Sequence, residues 1–541
     1  MSGRADLVVC GQVLVAAVPE APERAEAVGI ADGRVVSVGS REDVTAAAAA
    51  GARVIDAGGA AVIPGLHDFH IHLVGLARTR AGVLLDDAAD AAEVAARIAR
   101  HAAALPRDTW ITGRGWSEAQ LSTAQPGTLE GATAGRPAFV TSHDGHSAWA
   151  SSAAMRLAGI GVATADPHGG RIERDPHGQP TGILRETALD LVSTIVPRLQ
   201  GAALRPALEA TIGELSTLGL TGASEAGDYT DANGIGADAA LGDSYSSLTD
   251  LADLVDGRLR MTLGIPVDAI PAAAARGLRT GLALDGRRTM RFGWAKEYAD
   301  GALGSGTAAL FEPRTCGAGE RGIMRVTSEE LDALFAAGRQ ARIGLAVHAI
   351  GDRAAAEVLD AVQRAPSRPR GVPDDRMEHA QLVRAEDRVR FAPLGVTASV
   401  QPIHAAADRD LVEACWDGRQ ADAYAWRGLL DAGALLAAGS DAPVEPANPW
   451  IGVHAALHRR LPSDSREDWR AEQALTILEA LAAYTLGPAH AIGAADEGHL
   501  RIGARADLAV LSIGLDALLA GAVDFGAVRS EFMLLDGRLV K

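Results

Sequence analysis

Five residues able to bind a metal or carry a proton stand at the ends of apolar runs in this 541-residue chain. His70 and His72 follow Ile63-Pro64-Gly65-Leu66-His67-Asp68-Phe69. On a strand, residues i and i+2 face the same side, so these two imidazoles can grip one cation. His348 ends the run 344–347, His379 ends Arg376-Met377-Glu378, and Asp441 ends the run 435–440. Neutral imidazoles and a carboxylate suit a borderline divalent cation such as zinc. An aspartate beside such an ion can also accept a proton from water. An isolated His-x-His pair is weak evidence, and any one of the five could be a hydrogen-bonded interior residue. All five at once are poorly explained that way.

Convergence of these residues requires elements whose ends meet. Short apolar runs alternate with Ala- and Leu-rich helical stretches such as 328–342, 353–363 and 471–484. Candidate strands are Ala61 to Ile63 leading to His70, then 221–225, 259–265, 291–299, 343–349, 376–379, 395–401 and 435–441. Buried strands separated by amphipathic helices predict an α/β fold, and eight such strands fit a (β/α)8 TIM-like barrel with its active site at the C-terminal rim. Segments 110–115 and 138–142 also look extended. They lie in a Gly-rich stretch over about 75–200, which reads as an insertion over the barrel mouth. Both chain ends are β-rich, with a hairpin turn at Asp32-Gly33 and another at Asp536-Gly537. The expected organisation is a composite β domain of 1–60 and 495–541 around a barrel of 61–494. Leu7 to Val18 has the apolarity of a signal-peptide core, but Asp6 precedes it, Gln12 interrupts it and Arg4 is its one early basic residue. It is therefore expected to be mature β structure.

Acidic residues number 69 against 51 basic ones, a formal charge of −18. That balance argues against nucleic acid or anionic lipid as a partner, and no run is long enough for a membrane span. Cys10, Cys316 and Cys415 are widely spread, without a disulfide framework or a CxxC metal site, which suits a reducing compartment. The expectation is a cytoplasmic protein acting on a small molecule, with a homodimer allowed.

Further motifs accompany the five residues. They include Asp144-Gly145-His146 with Trp149, Pro180-Thr181-Gly182-Ile183-Leu184, Lys296, and Ala299-Asp300-Gly301-Ala302-Leu303-Gly304. Others are His348-Ala349-Ile350-Gly351-Asp352, Glu378-His379-Ala380-Gln381, Ser399-Val400-Gln401-Pro402, Gly439-Ser440-Asp441-Ala442-Pro443 and Gly503 to Leu508. In order and completeness the chain resembles the amidohydrolase superfamily, in its N-substituted formamide deformylase-like branch (amidohydrolase family 3), over nearly its whole length. The resemblance implies a barrel joined to a small β-sandwich built from both termini. It also implies one or two Zn2+ ions per chain, with Mn2+ or Fe2+ as alternatives. His70, His72, His348, His379 and Asp441 carry over as ligands, and Lys296 as a carboxylated lysine bridging two metals. Lys296 as an ion-pair partner or substrate contact is the competing reading.

The implied reaction is attack of a metal-activated water on an amide-like C–N bond of an N-acyl or N-formyl amine. Asp441 serves as base and then acid, and His379 or His146 stabilises the oxyanion. Asp144, His146 and Trp149 are expected to line the substrate site, with Trp116 and Glu186 as further candidates and Asp300 and Gln401 near the rim. Loop packing is the alternative for each. His67, out of phase with His70, is expected to be structural. A cyclic amidine deaminase or lactone hydrolase on the same scaffold, or a non-catalytic metal-binding protein, are the competing functions.

Overall fold

The computed structural model describes residues 3–79, 82–125, 127–197, 201–227, 255, 257–317 and 319–540, the side chains of 201–203 excepted. Eight strands form one parallel sheet: β5 (Leu66–Ile71), β12 (Leu220–Glu225), β13 (Arg260–Pro266), β14 (Met290–Tyr298), β15 (Leu345–Ala349), β16 (Asp375–His379), β17 (Val396–Val400) and β18 (Leu436–Ala438). They are ordered in space as in sequence, and β12, β15, β16, β17 and β18 are buried along their whole length. Burial on both faces is what the unbroken apolar runs required. The (β/α)8 barrel expected from sequence is therefore present.

Helices cover the outside. Ser328–Ala341 starts from a capping box in which Thr327 and Glu330 satisfy each other's backbone N–H groups. The helix expected over 471–484 is shorter, Ile477–Ala483, because Thr476 and Glu479 form a capping box that sets its start.

The first barrel strand also differs from expectation. Ala61 to Ile63 belongs to β4 (Arg53–Pro64), which pairs with β1 (Leu7–Ala16) and β19 (Leu508–Leu511). Gly65 divides β4 from β5, and a Cβ there would lie 2.0 Å from Thr221 Oγ1. The same seven-stranded sheet takes in β2 (Glu23–Ala31), β3 (Arg34–Gly39), β20 (Ser530–Leu535) and β21 (Arg538–Leu539), so strands from both chain ends pair in one sheet. Buried ion pairs tie it to the barrel: Arg260 meets Asp507 and Asp536, and Arg291 meets Glu497.

Within the stretch 75–200 lies a separate six-stranded sheet: β6 (Val83–Leu84), β7 (Ile111–Trp116), β8 (Ala138–Ser142), β9 (Ser147–Ala150), β10 (Gly170–Arg174) and β11 (Pro180–Glu186). It has its own apolar clusters. The cysteine reading is corrected: Cys316 and Cys415 form a disulfide across 99 residues, and Cys10 is buried and free. Spacing along the chain could not reveal a pairing between a loop and the end of a distant helix, Arg409–Cys415. No helix among the described residues is long and apolar enough to cross a membrane.

The sheet's end strands, β5 and β18, meet at a seam held by loop backbone and one side chain. The Asp441 N–H donates to His70 O at 2.7 Å, and the His72 N–H donates to Ala442 O at 2.8 Å. Asp68, 2% exposed, accepts from the Ser440 backbone at 2.9 Å, from the Ser440 hydroxyl, and from the His70 N–H at 3.2 Å. Burial lifts the Asp68 carboxyl to about 6 even against these hydrogen bonds. The approach leaves no room for a side chain: a Cβ on Gly439 would lie 2.3 Å from His70 N and 2.8 Å from Asp68 Oδ1. Neither can yield, one being backbone and the other pinned. Gly439→Ala is predicted to cost ~1–3 kcal/mol of stability by overpacking and to reduce metal retention as well. Urea unfolding midpoints and metal content of the purified variant check it.

Candidate metal centre

The barrel interior is stratified. Phe69, Trp294, Ala346 and Ala437 form an apolar floor. Two residues further along their strands come Lys296 and His348 from β14 and β15. Arg376 of β16 lies against the floor, its guanidinium carbon 3.8 Å from the Phe69 ring centroid and 4.8 Å from that of Trp294. Its charge meets Glu378, with Nε 2.6 Å from Oε1, and Glu378 in turn bonds His70 Nδ1. Burial opposes the charge on Glu378, but Arg376 and His70 outweigh it and hold its carboxyl well below the usual range. A carboxylate on Nδ1 fixes the proton there and aims the Nε2 lone pair of His70 at the rim.

At the rim the predicted residues come together. Asp441 Oδ1 lies 3.2 Å from His70 Nε2 and 2.9 Å from His72 Nε2. Asp441 Oδ2 lies 3.9 Å from His379 Nδ1 and 3.6 Å from His404 Nε2. Two groups of potential donors thus share one carboxylate: His70, His72 and Asp441, and His379, His404 and Asp441, each set within 4.8 Å of one another. His348 lies beside the second group, its ring centroid 4.5 Å from that of His379. Its Nε2 bonds Gly301 O at 3.1 Å. Lys296 stands on β14, its Nζ 4.7 Å from the Tyr298 ring centroid. It shares a cavity of about 10 Å³ with His70, Glu225 and Glu378, roughly the room of one water.

The donor set fits a divalent metal. His70 Nε2 and Asp441 Oδ1 are buried and form no hydrogen bond among the described residues, despite their proximity. Burial, aided by neighbouring positive charge, holds the His348 imidazole well below its ordinary pKa. Burial does the same to His379 against the pull of Asp441. Both are neutral and offer lone pairs. His379 and Asp441 have left-handed backbone, φ 74° and 59°, a conformation that non-glycine residues adopt at a cost.

Other predicted site residues are used differently. Gln401 Oε1 accepts from His379 Nδ1 at 2.8 Å, the same nitrogen that lies 3.9 Å from Asp441 Oδ2, and so fixes the tautomer of that ring. Asp300 is fully buried and accepts backbone N–H groups of Ala309, Ile350 and Gly351, which makes it a loop clasp and not a substrate contact. Trp116 is 1% exposed in the core of the insertion, its indole donating to Val140 O, and Trp149 packs in the same cluster. Both are corrected from substrate lining to packing. His67 is structural as expected, bonded to Ser224 and lowered to about 3 by burial.

His146 reaches the site from the insertion, its ring centroid 5.0 Å from that of His348. Glu186, expected to touch substrate, is buried behind it. It bonds His146 Nδ1 at 2.9 Å, Arg325 at 3.1 Å and the Thr307 hydroxyl. Burial works against a charged His146, and Glu186 more than offsets this, raising its pKa. Asp144 turns back on its own loop, accepting from Ser142 and the His146 N–H.

Sequence reasoning missed His404, Arg376, Asp68 and the ligand-orienting job of Glu378. His404 lies in a helix after β17 and not at a strand end. Glu378 was visible only as the neighbour of His379, and the positive φ of His379 defeats the strand alternation that would have sorted the two.

A second missed cluster joins the insertion to the rim. His143 Nδ1 lies 2.8 Å from Asp86 and its Nε2 3.4 Å from Glu445. Burial opposes a charge on His143, but Asp86 and Glu445 prevail and raise it to about 10. A base with a raised folded pKa gives its stabilisation in full below its unfolded value, ~6.5, and loses it as pH climbs through the folded one. The thermal stability gap between wild type and His143→Leu is predicted to be widest at pH 6 and to shrink steadily towards pH 10. Predicted for Glu378→Gln is a folded protein with metal affinity ~10–100-fold weaker, measured by chelator competition.

The comparisons agree with this geometry. Residues 53–540 match the model of the amidohydrolase family. The chain is 31% identical over 505 residues to YtcJ of Bacillus subtilis (strain 168), which carries an amidohydrolase name; the match covers 91% of this chain and 92% of that one. It is 29% identical over 518 residues to the N-substituted formamide deformylase of Arthrobacter pascens, with 90% of each chain covered. Among solved structures, a metal-dependent hydrolase of Pyrococcus horikoshii superposes with a TM-score of 0.74 at 25% identity, over 96% of this chain and 99% of that one.

Proposed function

The chain belongs to the amidohydrolase family and is a hydrolase of carbon–nitrogen bonds, and on that premise we propose that it cleaves N-acyl or N-formyl amines to an acid and an amine. One observation carries the reading: a single buried carboxylate, Asp441, stands between two groups of histidines at the C-terminal rim of the barrel. His70, His72, His348 and His379 would hold the metal with Asp441, and Lys296 would bridge a pair as its carbamate. When bound, a zinc-like ion supplies Lewis acidity to the substrate carbonyl and to the attacking water.

The side chains do the remaining work. Glu378 and Gln401 fix the Nδ1 protons of His70 and His379, so their Nε2 atoms are presented as lone pairs. Asp441 accepts the proton of the attacking water and returns it to the leaving nitrogen, which departs as a neutral amine. His146, held by Glu186 with its ring beside that of His348, would meet the substrate from the insertion side. The buried seam and floor exclude bulk water from the reverse side of the site.

A panel of N-acyl and N-formyl amines, assayed for amine release with added zinc or manganese, tests this. Release of amine supports it. Ammonia from cyclic amidines, or ring opening of lactones without amide turnover, would move the protein to a deaminase or lactonase. Asp441→Asn is predicted to stay folded and lose ~10²–10⁴-fold in kcat. Lys296→Ala is predicted to lose one metal per chain and most activity, with partial rescue by a short carboxylic acid. Full metal content in Lys296→Ala would rule out the bridging role.

A further inference from the structure

Two imidazoles stack side by side at the Oδ2 edge of Asp441, and their second nitrogens are wired in opposite senses. The His379 and His404 ring centroids are 5.9 Å apart with planes 19° from parallel. His379 Nδ1 faces an oxygen, Gln401 Oε1, at 2.8 Å, and Gln401 is fixed in that sense because its amide nitrogen donates to Ser399 O. That leaves a lone pair on Nε2. His404 Nδ1 faces a nitrogen instead, Gln381 Nε2, at 3.3 Å. As placed, the Gln381 amide nitrogen donates to Nδ1 of His404 and the ring proton resides on Nε2, while Gln381 Oε1 is left buried without a hydrogen-bond partner among the described residues.

His404 Nε2 is therefore a donor at the reacting centre. The residue is 7% exposed, and Nε2 has no hydrogen-bond partner among the described residues, its approach to Asp441 Oδ2 being 3.6 Å. A buried donor left unsatisfied is costly, and a site that keeps one is completed by its ligand. Pro402 opens the helix Pro402–Ala407 that carries it, so the ring is set by a rigid turn.

We infer that His404 is a catalytic hydrogen-bond donor, its Nε2–H binding the substrate oxygen that becomes negatively charged when the carbonyl is attacked. This deepens the amide-hydrolase reading and rests on it for the identity of that oxygen. Tetrahedral acyl carbons bearing an oxyanion, and their phosphonate mimics, are the chemistry such a donor selects.

The test uses zinc-loaded full-length protein and methylphosphonate as probe, followed by titration calorimetry, beside kcat and KM on the amine panel. His404→Phe is expected to keep its zinc and bind methylphosphonate about 10- to 100-fold more weakly, the worth of a hydrogen bond to a charged acceptor. Its kcat is expected to fall ~10²–10³-fold with little change in KM. His404→Gln, whose amide nitrogen reaches the same point, is expected to recover most of the affinity. If the Phe variant fails to fold, His404→Asn, whose amide falls short of that point, takes its place. Unchanged phosphonate affinity, no binding by wild type, or a Gln variant no better than Phe would overturn the inference. So would loss of zinc, which would make His404 a ligand. An amine panel without turnover sinks the proposed function, whereas the phosphonate arm reads His404 without turnover.

Discussion

Everything at the rim hangs on the seam where the first and last barrel strands meet. Seven of the eight neighbour contacts of a closed barrel are ordinary strand ladders and tolerate small adjustments. The eighth is made by two loop backbone hydrogen bonds, Asp441 N–H to His70 O and His72 N–H to Ala442 O, and by Asp68, which takes two hydrogen bonds from Ser440 across the join and one from the His70 N–H. His70 and His72 stand on one side of that join and Asp441 on the other. The distance between the first two ligands and the carboxylate is thus a property of the closure, not of either strand. Asp68 accepts a lifted carboxyl pKa for this position. A neutral side chain would avoid that desolvation cost, but none of similar size offers two oxygens to three donors.

Beneath the rim, charge is placed where it can be matched. Arg376, Glu378 and His70 form a chain of contacts across the barrel interior, with the guanidinium lying on two aromatic faces. A buried ion pair of this kind is weak evidence for stability, since both charges lose water. Its consequence here is directional. Glu378 dictates which nitrogen of His70 carries the proton, and Gln401 does the same for His379. His70 is thereby presented with its Nε2 lone pair already towards Asp441. A metal site arranged this way spends little of its binding energy on reorganising the protein.

The barrel was legible because its strands are buried on both faces, so apolar runs such as 344–347 and 396–400 stand out against the helices between them. The ligands were legible because four of them directly follow or end such runs. Reading failed where chain order and spatial order part company. Ala61 to Ile63 and Leu66 to Ile71 look like one strand until Gly65 is seen pressed against Thr221. Cys316 in a loop and Cys415 at a helix end pair across a distance that no motif connects. Trp116, Trp149 and Asp300 sit in polar, Gly-rich segments that resemble pocket lining. The insertion has its own sheet and hence its own core, which claims the two indoles, and Asp300 serves three backbone amides. His404 escaped notice because the search followed strand ends, and the side chain that reaches Asp441 comes from the helix beyond one.

The insertion, finally, cannot act as an independent cover. Its β8–β9 turn sends His143 to Glu445 just past the seam and His146 to the ring of His348, while Glu186 at the end of β11 binds Arg325 and Thr307 of the barrel. These contacts fall on loops that follow β14 and β18 and on β15 itself, strands that carry or precede ligands. The mouth is therefore framed jointly: one wall by the barrel's own loops, the other by a turn whose orientation they fix. Glu186 is fully enclosed and its charge is matched by His146 and Arg325, so it holds the His146 imidazole beside the ring of His348. A change of substrate preference in such a scaffold would have to move these interlocked contacts together, which is why fold alone does not determine it.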